Sequence, residues 1–160
     1  GLFAAGDCAD QMRCVHICTT GGYLAGKMAA EYANGCSKGP KVILSQVKKL
    51  KEEIFAPLRV SGKVPQPKFE DTLRKMLWQN AGPARSEKSL GVALEKLEEL
   101  GKYFRQMEAQ NYHELMRIQE TNQIMHVAKM MCTASLARKE TRFGVYHHRT
   151  DYPETNTEYE

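Results

Sequence analysis

Between Lys41 and Lys139 the apolar residues recur with the period of an α-helix through four successive stretches, which leaves little room for anything but a helical fold. In Lys41 to Ala56, Ile43, Val47, Leu50 and Ile54 share one face, and Pro57 marks the end. Residues 59–67, with Gly62, Pro65 and Pro67, read as loop. Lys68 to Ala81 turns Phe69, Leu73, Met76 and Leu77 inward and stops at Gly82-Pro83. Ser86 has the character of an N-cap, with Glu87 suited to the first turn. The helix it starts carries Leu90, Ala93, Leu94, Leu97, Leu100, Phe104 and Met107 on one stripe. A last helix spans about 111–139, and its second half, IMHVAKMMCTASLA, is apolar over so wide an arc that it is expected to be the most buried. Helices of this length with short connections predict an antiparallel bundle, in a chain that is mainly α.

The first 36 residues read differently. Leu2 to Ala5 is a short apolar run that stops at Gly6-Asp7, the pattern of a buried strand and a turn. Gly1 is not an initiating Met, so the strand is expected to be entered in the middle of a longer protein. Thr19-Thr20-Gly21-Gly22 then leads into a helix expected over Tyr23 to Ala33, with Thr20 as its N-cap and Asn34-Gly35 as its end. Ser37-Lys38-Gly39-Pro40 reads as a linker. The expected organisation is therefore 1–36, a strand–turn–helix segment; 37–140, a helical domain; and 141–160, a polar tail. A strand ending in Gly-Asp, followed by a turn into a helix, can hold a nucleotide cofactor. Asp7 can accept hydrogen bonds from sugar or ribityl hydroxyls, and free N–H groups at a helix start near Thr20 can stabilise negative charge.

Charge and cysteine content narrow the partners. The net charge is +4, but Lys48, Lys49 and Lys51 are followed at once by Glu52 and Glu53, the mark of a solvated helix face and not of a nucleic-acid site. No apolar run is long enough for a membrane span. Five cysteines, an odd and modest number, point to a reducing, cytoplasmic compartment. Cys14 and Cys18 flank His16, but no CxxC pair or second cluster completes a metal site. His147 and His148, beside Tyr146 and Arg149, form a candidate acid/base or anion site in which His148 and Arg149 are the candidate catalytic groups; the ordinary reading of such a tail is a polar strap over the domain. His126, on the most apolar helix, reads as a core histidine, His113 as surface and Trp78 as a core anchor.

Three stretches together resemble a known family. GLFAAGD, then His16 and TTGGYLAGKMAAEYA, is similar to the end of the flavin-binding domain in the fumarate reductase, succinate dehydrogenase and adenylylsulfate reductase flavoproteins. MLWQNAGPARSEKSL resembles the Met-Trp, Ala-Gly, Arg-Ser and Leu pattern of their helical C-terminal domain. ARKETRFGVYHHRTDYPETN resembles their Arg-Glu-Ser-Arg-Gly stretch and Arg-x-Asp-Tyr-Pro ending, with Phe143 inserted after Arg142. The resemblance implies FAD in the full-length parent, contacted by Gly6, Asp7, Thr19, Thr20 and Gly21, with His16 as a catalytic candidate. Where the dicarboxylate enzymes carry a substrate-binding Arg before paired glycines, this chain has Thr19. His16, Thr19, Thr20 and Gly21 are closer to the adenylylsulfate reductase pattern, with Cys18 in the place of its aromatic residue.

The resemblance further implies a parent that passes electrons between a substrate and FAD, with the rest of the FAD-binding domain, a capping domain and an iron–sulfur subunit or another carrier as partners. The dinucleotide fingerprint is absent from these residues. The chain alone is therefore expected to bind no FAD and to be inactive. The alternative is a helical interaction domain with no redox role.

Overall fold

A computed structural model of the chain describes residues 1–6, 15–39, 41–62, 64–142, 144 and 147–159. They fall into two units, Gly1–Leu44 and Ser45–Glu160, each described by itself below.

In the first unit the helix α1 runs from Val15 to Gly35, two turns longer at its start than the caps suggested. Thr20 is not its N-cap. Thr19 and Thr20 lie inside the helix, and their hydroxyls donate to the carbonyls of Val15 and His16, one turn back, at 2.7 and 2.8 Å. A threonine that satisfies its hydroxyl on the i−4 carbonyl no longer competes with the helix and can sit within it. The expected strand at Leu2 to Ala5 is not formed either. The segment lies along α1 instead: Gly1 approaches the Tyr32 ring, Phe3 packs edge-on against Tyr32 with centroids 5.9 Å apart, and Gly6 reaches Cys18.

Among the described residues four further α-helices follow, α2 (Leu44–Phe55), which begins at the boundary of the second unit, α3 (Gln66–Ala81), α4 (Glu87–Phe104) and α5 (Tyr112–Ala137). The starts of α3, α4 and α5 have local causes. Pro65 and Pro67 frame the first turn of α3, where a missing N–H costs nothing. Ser86 caps α4 in a reciprocal box, its side chain accepting from the Ser89 amide while the Ser89 hydroxyl accepts from the Ser86 amide. Asn111 caps α5 by accepting from the Glu114 amide at 2.9 Å. At the end of α3 a Cβ on Gly82 would stand 2.5 Å from the Trp78 carbonyl oxygen, so the exit needs a residue without one.

α3, α4 and α5 make the core. Phe69, Leu73 and Met76 of α3, Leu90, Ala93 and Leu97 of α4, and Leu115, Ile118, Ala128 and Cys132 of α5 are buried together, with Met107 and Ala109 from the α4–α5 connection. The inward stripes of α3 and α4 are those the period marks. The helices run up, down and up: Glu98 pairs with Lys129 and Gly101 faces Met125, so α4 opposes α5, while Gln66 at the start of α3 meets Thr121 in the first half of α5 and Arg85, past the end of α3, meets Ser135 near the end of α5. α2 joins this core through Phe55 and through the Ile54 carbonyl, which accepts from Gln119.

Three expectations are corrected. Trp78 is no core anchor: it is 73% exposed, because α3 buries the arc of Phe69, Leu73 and Met76 and Trp78 falls beyond it. His126 lies at the surface, and Val127 and Met130 beside it are exposed as well. The second half of α5 is thus not buried all round; Ala128, Cys132 and Ser135 face in, Ile124, Met125, Met131 and Leu136 pack half-buried against the core, and Val127 and Met130 face out.

The tail adds a small parallel sheet. β1 (Ala84–Arg85), between α3 and α4, pairs with β2 (His148–Arg149), with Ala84 opposite His148 and Arg85 opposite Arg149. The α4–α5 hairpin is the crossover that a parallel pair requires.

Candidate functional site

Of the cofactor candidates of the first unit, Gly6 lies beside Cys18 in the first turn of α1, and Thr19, Thr20 and Gly21 follow in its second turn. Gly6 has a positive φ of 72°, and a Cβ added there would meet only Cys18 Sγ, at 3.8 Å. The turn therefore sits beside the start of α1, where His16 is exposed. Because α1 begins at Val15, the amides of Thr19, Thr20 and Gly21 belong to the body of the helix and are not its free N-terminal donors. Asp7 and Cys14, which the sequence also singled out, fall outside the described residues, as do Cys8, Phe143 and Tyr146.

In the second unit the tail is an ordered polar knot. Arg149 is completely buried. Its Nε and one terminal nitrogen donate side by side to the two oxygens of Asp151, at 2.8 and 2.9 Å. The other terminal nitrogen donates to the carbonyls of Ser135, Leu136 and Arg138, the orphan acceptors at the C-terminal end of α5. Asp151 also accepts the Glu87 amide at 2.7 Å, in the first turn of α4. A carboxylate thus meets the positive end of one helix and a guanidinium the negative end of another. The hydrogen-bonded Arg149 holds the Asp151 carboxyl far below its ordinary range, and Asp151 in turn raises Arg149.

A second knot surrounds Glu140, also completely buried. It accepts from Arg142 through both its oxygens, at 2.9 and 3.0 Å, from Arg138, and from the Asn156 amide at 2.8 Å. These donors, Arg142 foremost, bring its pKa down to about 2 against the opposing effect of burial. Arg85 completes the arrangement by donating to Ser135 Oγ at 3.0 Å, while its carbonyl accepts the Thr150 amide at 2.8 Å.

This geometry sorts the candidates. The Arg149 guanidinium is spent on Asp151 and the end of α5, so its place is that of a clamp. His147 contacts the Arg138 carbonyl through Nε2 at 3.2 Å. His148 is half-buried, held by its backbone in β2 opposite Ala84. His16 belongs to the first unit and His148 and Arg149 to the second.

Comparison with known proteins places this helical unit and its knotted tail. Residues 70–159 match the model described as the fumarate reductase flavoprotein C-terminal region. The chain belongs to this family. Members and neighbours of the fumarate reductase flavoprotein C-terminal family agree with it over most of its length. An uncharacterised FAD-dependent oxidoreductase of Methanocaldococcus jannaschii is 30% identical over 86% of this chain and 25% of its own. L-Aspartate oxidase of Synechocystis is 27% identical over 58% of this chain and 20% of its own. Among solved structures, adenylylsulfate reductase of Archaeoglobus fulgidus superposes with a TM-score of 0.77 at 28% identity, over 89% of this chain and 25% of that one. The Sdh1 complex of Mycobacterium smegmatis gives 0.72 at 24%, over 83% and 23%; this likeness is one of fold. The chain spans about a quarter of the length of the curated relatives it matches.

Within the family motifs, the residues now have physical roles. Met76 and Leu90 are core, Gly82 and Ser86 turn the chain out of α3 and into α4, and Arg85 ties that turn to α5. Glu140, Asp151 and Ser135 were not candidates from the sequence. The one signal for Glu140 is an acidic residue between two arginines at ±2, in a stretch with no helical period.

Proposed function

We propose that this chain serves as the C-terminal helical portion of an FAD-dependent oxidoreductase, and that electrons pass between a substrate and FAD in the parent flavoprotein. The observation that carries this reading is the 28% identity to adenylylsulfate reductase, superposable over 89% of the chain, together with the family match over residues 70–159. The same likeness, and Thr19 in the place of a substrate-binding Arg, favour the adenylylsulfate reductase branch over the dicarboxylate enzymes. The parent is read as a cytoplasmic flavoprotein whose partners are its own FAD-binding and capping domains and an iron–sulfur carrier. No helix among the described residues is long and apolar enough to cross a membrane.

The residues present fit one edge of a flavin. Gly6, with its positive φ and no Cβ, lets a group approach the backbone beside Cys18, and the start of α1 favours negative charge there. Gly6, Asp7, Thr19, Thr20 and Gly21 would contact the cofactor, and His16 is the catalytic candidate of this unit. Bound FAD supplies the two-electron chemistry. The task of these residues is to position it and to stabilise the charge of its reduced form. Arg149 acts at one remove, by holding the tail that carries His148. One segment of contacts gives little affinity, since tight cofactor binding draws on many preorganised groups.

The test is flavin content. The full-length protein should purify with FAD, seen in its visible absorbance, whereas the 160-residue chain titrated with FAD should show no micromolar binding. A full-length protein without flavin, unable to take it up, would overturn the reading.

A further inference from the structure

α2 has an apolar face, yet it holds no buried residue. At 100° per residue, Val47, Leu50 and Ile54 fall within about 60° of one another, and no polar residue stands between them on that row. Lys48, Lys49 and Glu52 lie away from it. The three apolar residues are 49%, 57% and 43% exposed. The row does not look out into open solvent. Leu50 and Ile54 form one wall of a groove of about 980 Å³; Leu97, Gly101 and Phe104 of α4, with Met125 of α5, stand on the other side of it. Phe104 and Met125 are only half-buried there. An apolar helix face and an apolar patch of the bundle thus confront one another across a gap, an arrangement whose hydration is unfavourable.

The two ends of α2 are held differently. At its C-terminal end Phe55 and Leu58 pack against the core, the Ile54 carbonyl accepts from Gln119, and the Pro57 carbonyl accepts the Ala109 amide at 2.9 Å. Here the α-helix passes into the 3₁₀ turn Ala56–Leu58, in which Pro57 has no N–H to carry the helical bonding on. Residues 44–50, at the other end, are exposed throughout. Charge favours an approach: the α2 wall carries Glu53, and across the groove Glu98 is paired with Lys129 while Arg105 stands beside them.

We propose that α2 is a hinged lid, which pivots at Phe55–Leu58 to seat Val47, Leu50 and Ile54 in the groove between α4 and α5. The helix itself is the occupant, because the two apolar surfaces already face each other and the joint between α2 and the bundle is of the kind that absorbs a rotation. Closing expels water from the groove and leaves the three-helix core as it stands.

Pulsed electron–electron double resonance reads the motion. Spin labels go on through Lys48→Cys and Lys96→Cys, both at exposed positions, in the 160-residue chain with Cys8, Cys14, Cys18 and Cys36 replaced by serine and buried Cys132 kept. Two distances should be populated, and sodium sulfate, which strengthens apolar burial, should raise the shorter one about threefold. Leu50→Ser should remove the shorter distance; Glu52→Ser, away from the apolar row, should leave it. A single distance that sulfate does not move would overturn the proposal, and so would two distances indifferent to Leu50→Ser. A shorter distance that grows with protein concentration would overturn it as well, since a second copy would then be what covers the row.

Discussion

Arg149 and Asp151, two residues apart, join the end of one helix to the start of another: the guanidinium caps the carbonyls of α5 while the carboxylate caps the first turn of α4. Arg149 satisfies carbonyls at the buried end of α5, and Asp151 an amide at the solvent-facing start of α4.

Arg149→Met should therefore destabilise the chain by about 2 kcal/mol, the cost of leaving the buried carbonyls at the end of α5 without their donor. Arg149→Lys should recover little, because an ammonium cannot serve two carboxylate oxygens and the helix end together. Urea unfolding measures both. A lysine variant as stable as the parent would show that charge alone is what Asp151 requires.

Acid should weaken the fold through a small set of carboxyls. Glu140 has its pKa brought down to about 2, chiefly by Arg142; Asp151 is lowered by Arg149, and Glu70 by Arg74. A group whose folded pKa lies below its unfolded value contributes stability at pH above the unfolded value, and the contribution is lost as pH falls toward the folded one. The urea midpoint should hold steady down to about pH 5 and then fall through about pH 2. Glu140→Gln should flatten that slope. An unchanged midpoint at the acid end would mean that these carboxyls are equally protonated folded and unfolded.

Gly62 is a site of close approach. A Cβ there would press on the Gln106 carbonyl and stand 2.7 Å from the Glu108 amide nitrogen, both backbone. Gly62→Ala should cost about 2 kcal/mol by overpacking the contact between the 59–65 loop and the α4–α5 connection. Because the Gly62 amide also donates to Glu108, Glu108→Gln should be much milder. Thermal melts of the two variants rank them.

Ser86→Ala should cost about 1 kcal/mol as the loss of a helix cap. Ser89→Ala removes the other half of the reciprocal box, so the double variant should lose less than the two singles added. Strict additivity would show that the two hydroxyls act separately.

The helices of the second unit were legible because their causes are local. Ser86 with Glu87 and the stripe from Leu90 to Phe104 act within a turn or two of themselves, whereas Pro65 and Pro67, read as loop, frame the first turn of α3. The start of α1 was not legible. Thr19 and Thr20 are good caps by residue type, and only the bonds of their hydroxyls to Val15 and His16 show that they cap nothing. Trp78 was misplaced because residue type outweighed its position on the wheel of α3. The buried charges of the tail lay beyond any periodic signal: Glu140 meets Asn156, and Arg149 meets the end of α5, through contacts between segments whose approach no pattern encodes.

The two-residue sheet has a consequence for the order in which the molecule assembles. Thr150 bonds to Arg85 across 65 positions, and β1 can find β2 only once the helices between them have turned the chain back. During synthesis α4 leaves the ribosome well before the strand and the carboxylate that complete its first turn. The nascent helical hairpin therefore passes through a period in which the end of α5 and the start of α4 depend on water, until the tail closes the structure. Slow-translating or truncated products should accumulate in that open form, recognised by proteases at residues 82–87 and protected there once the tail has docked.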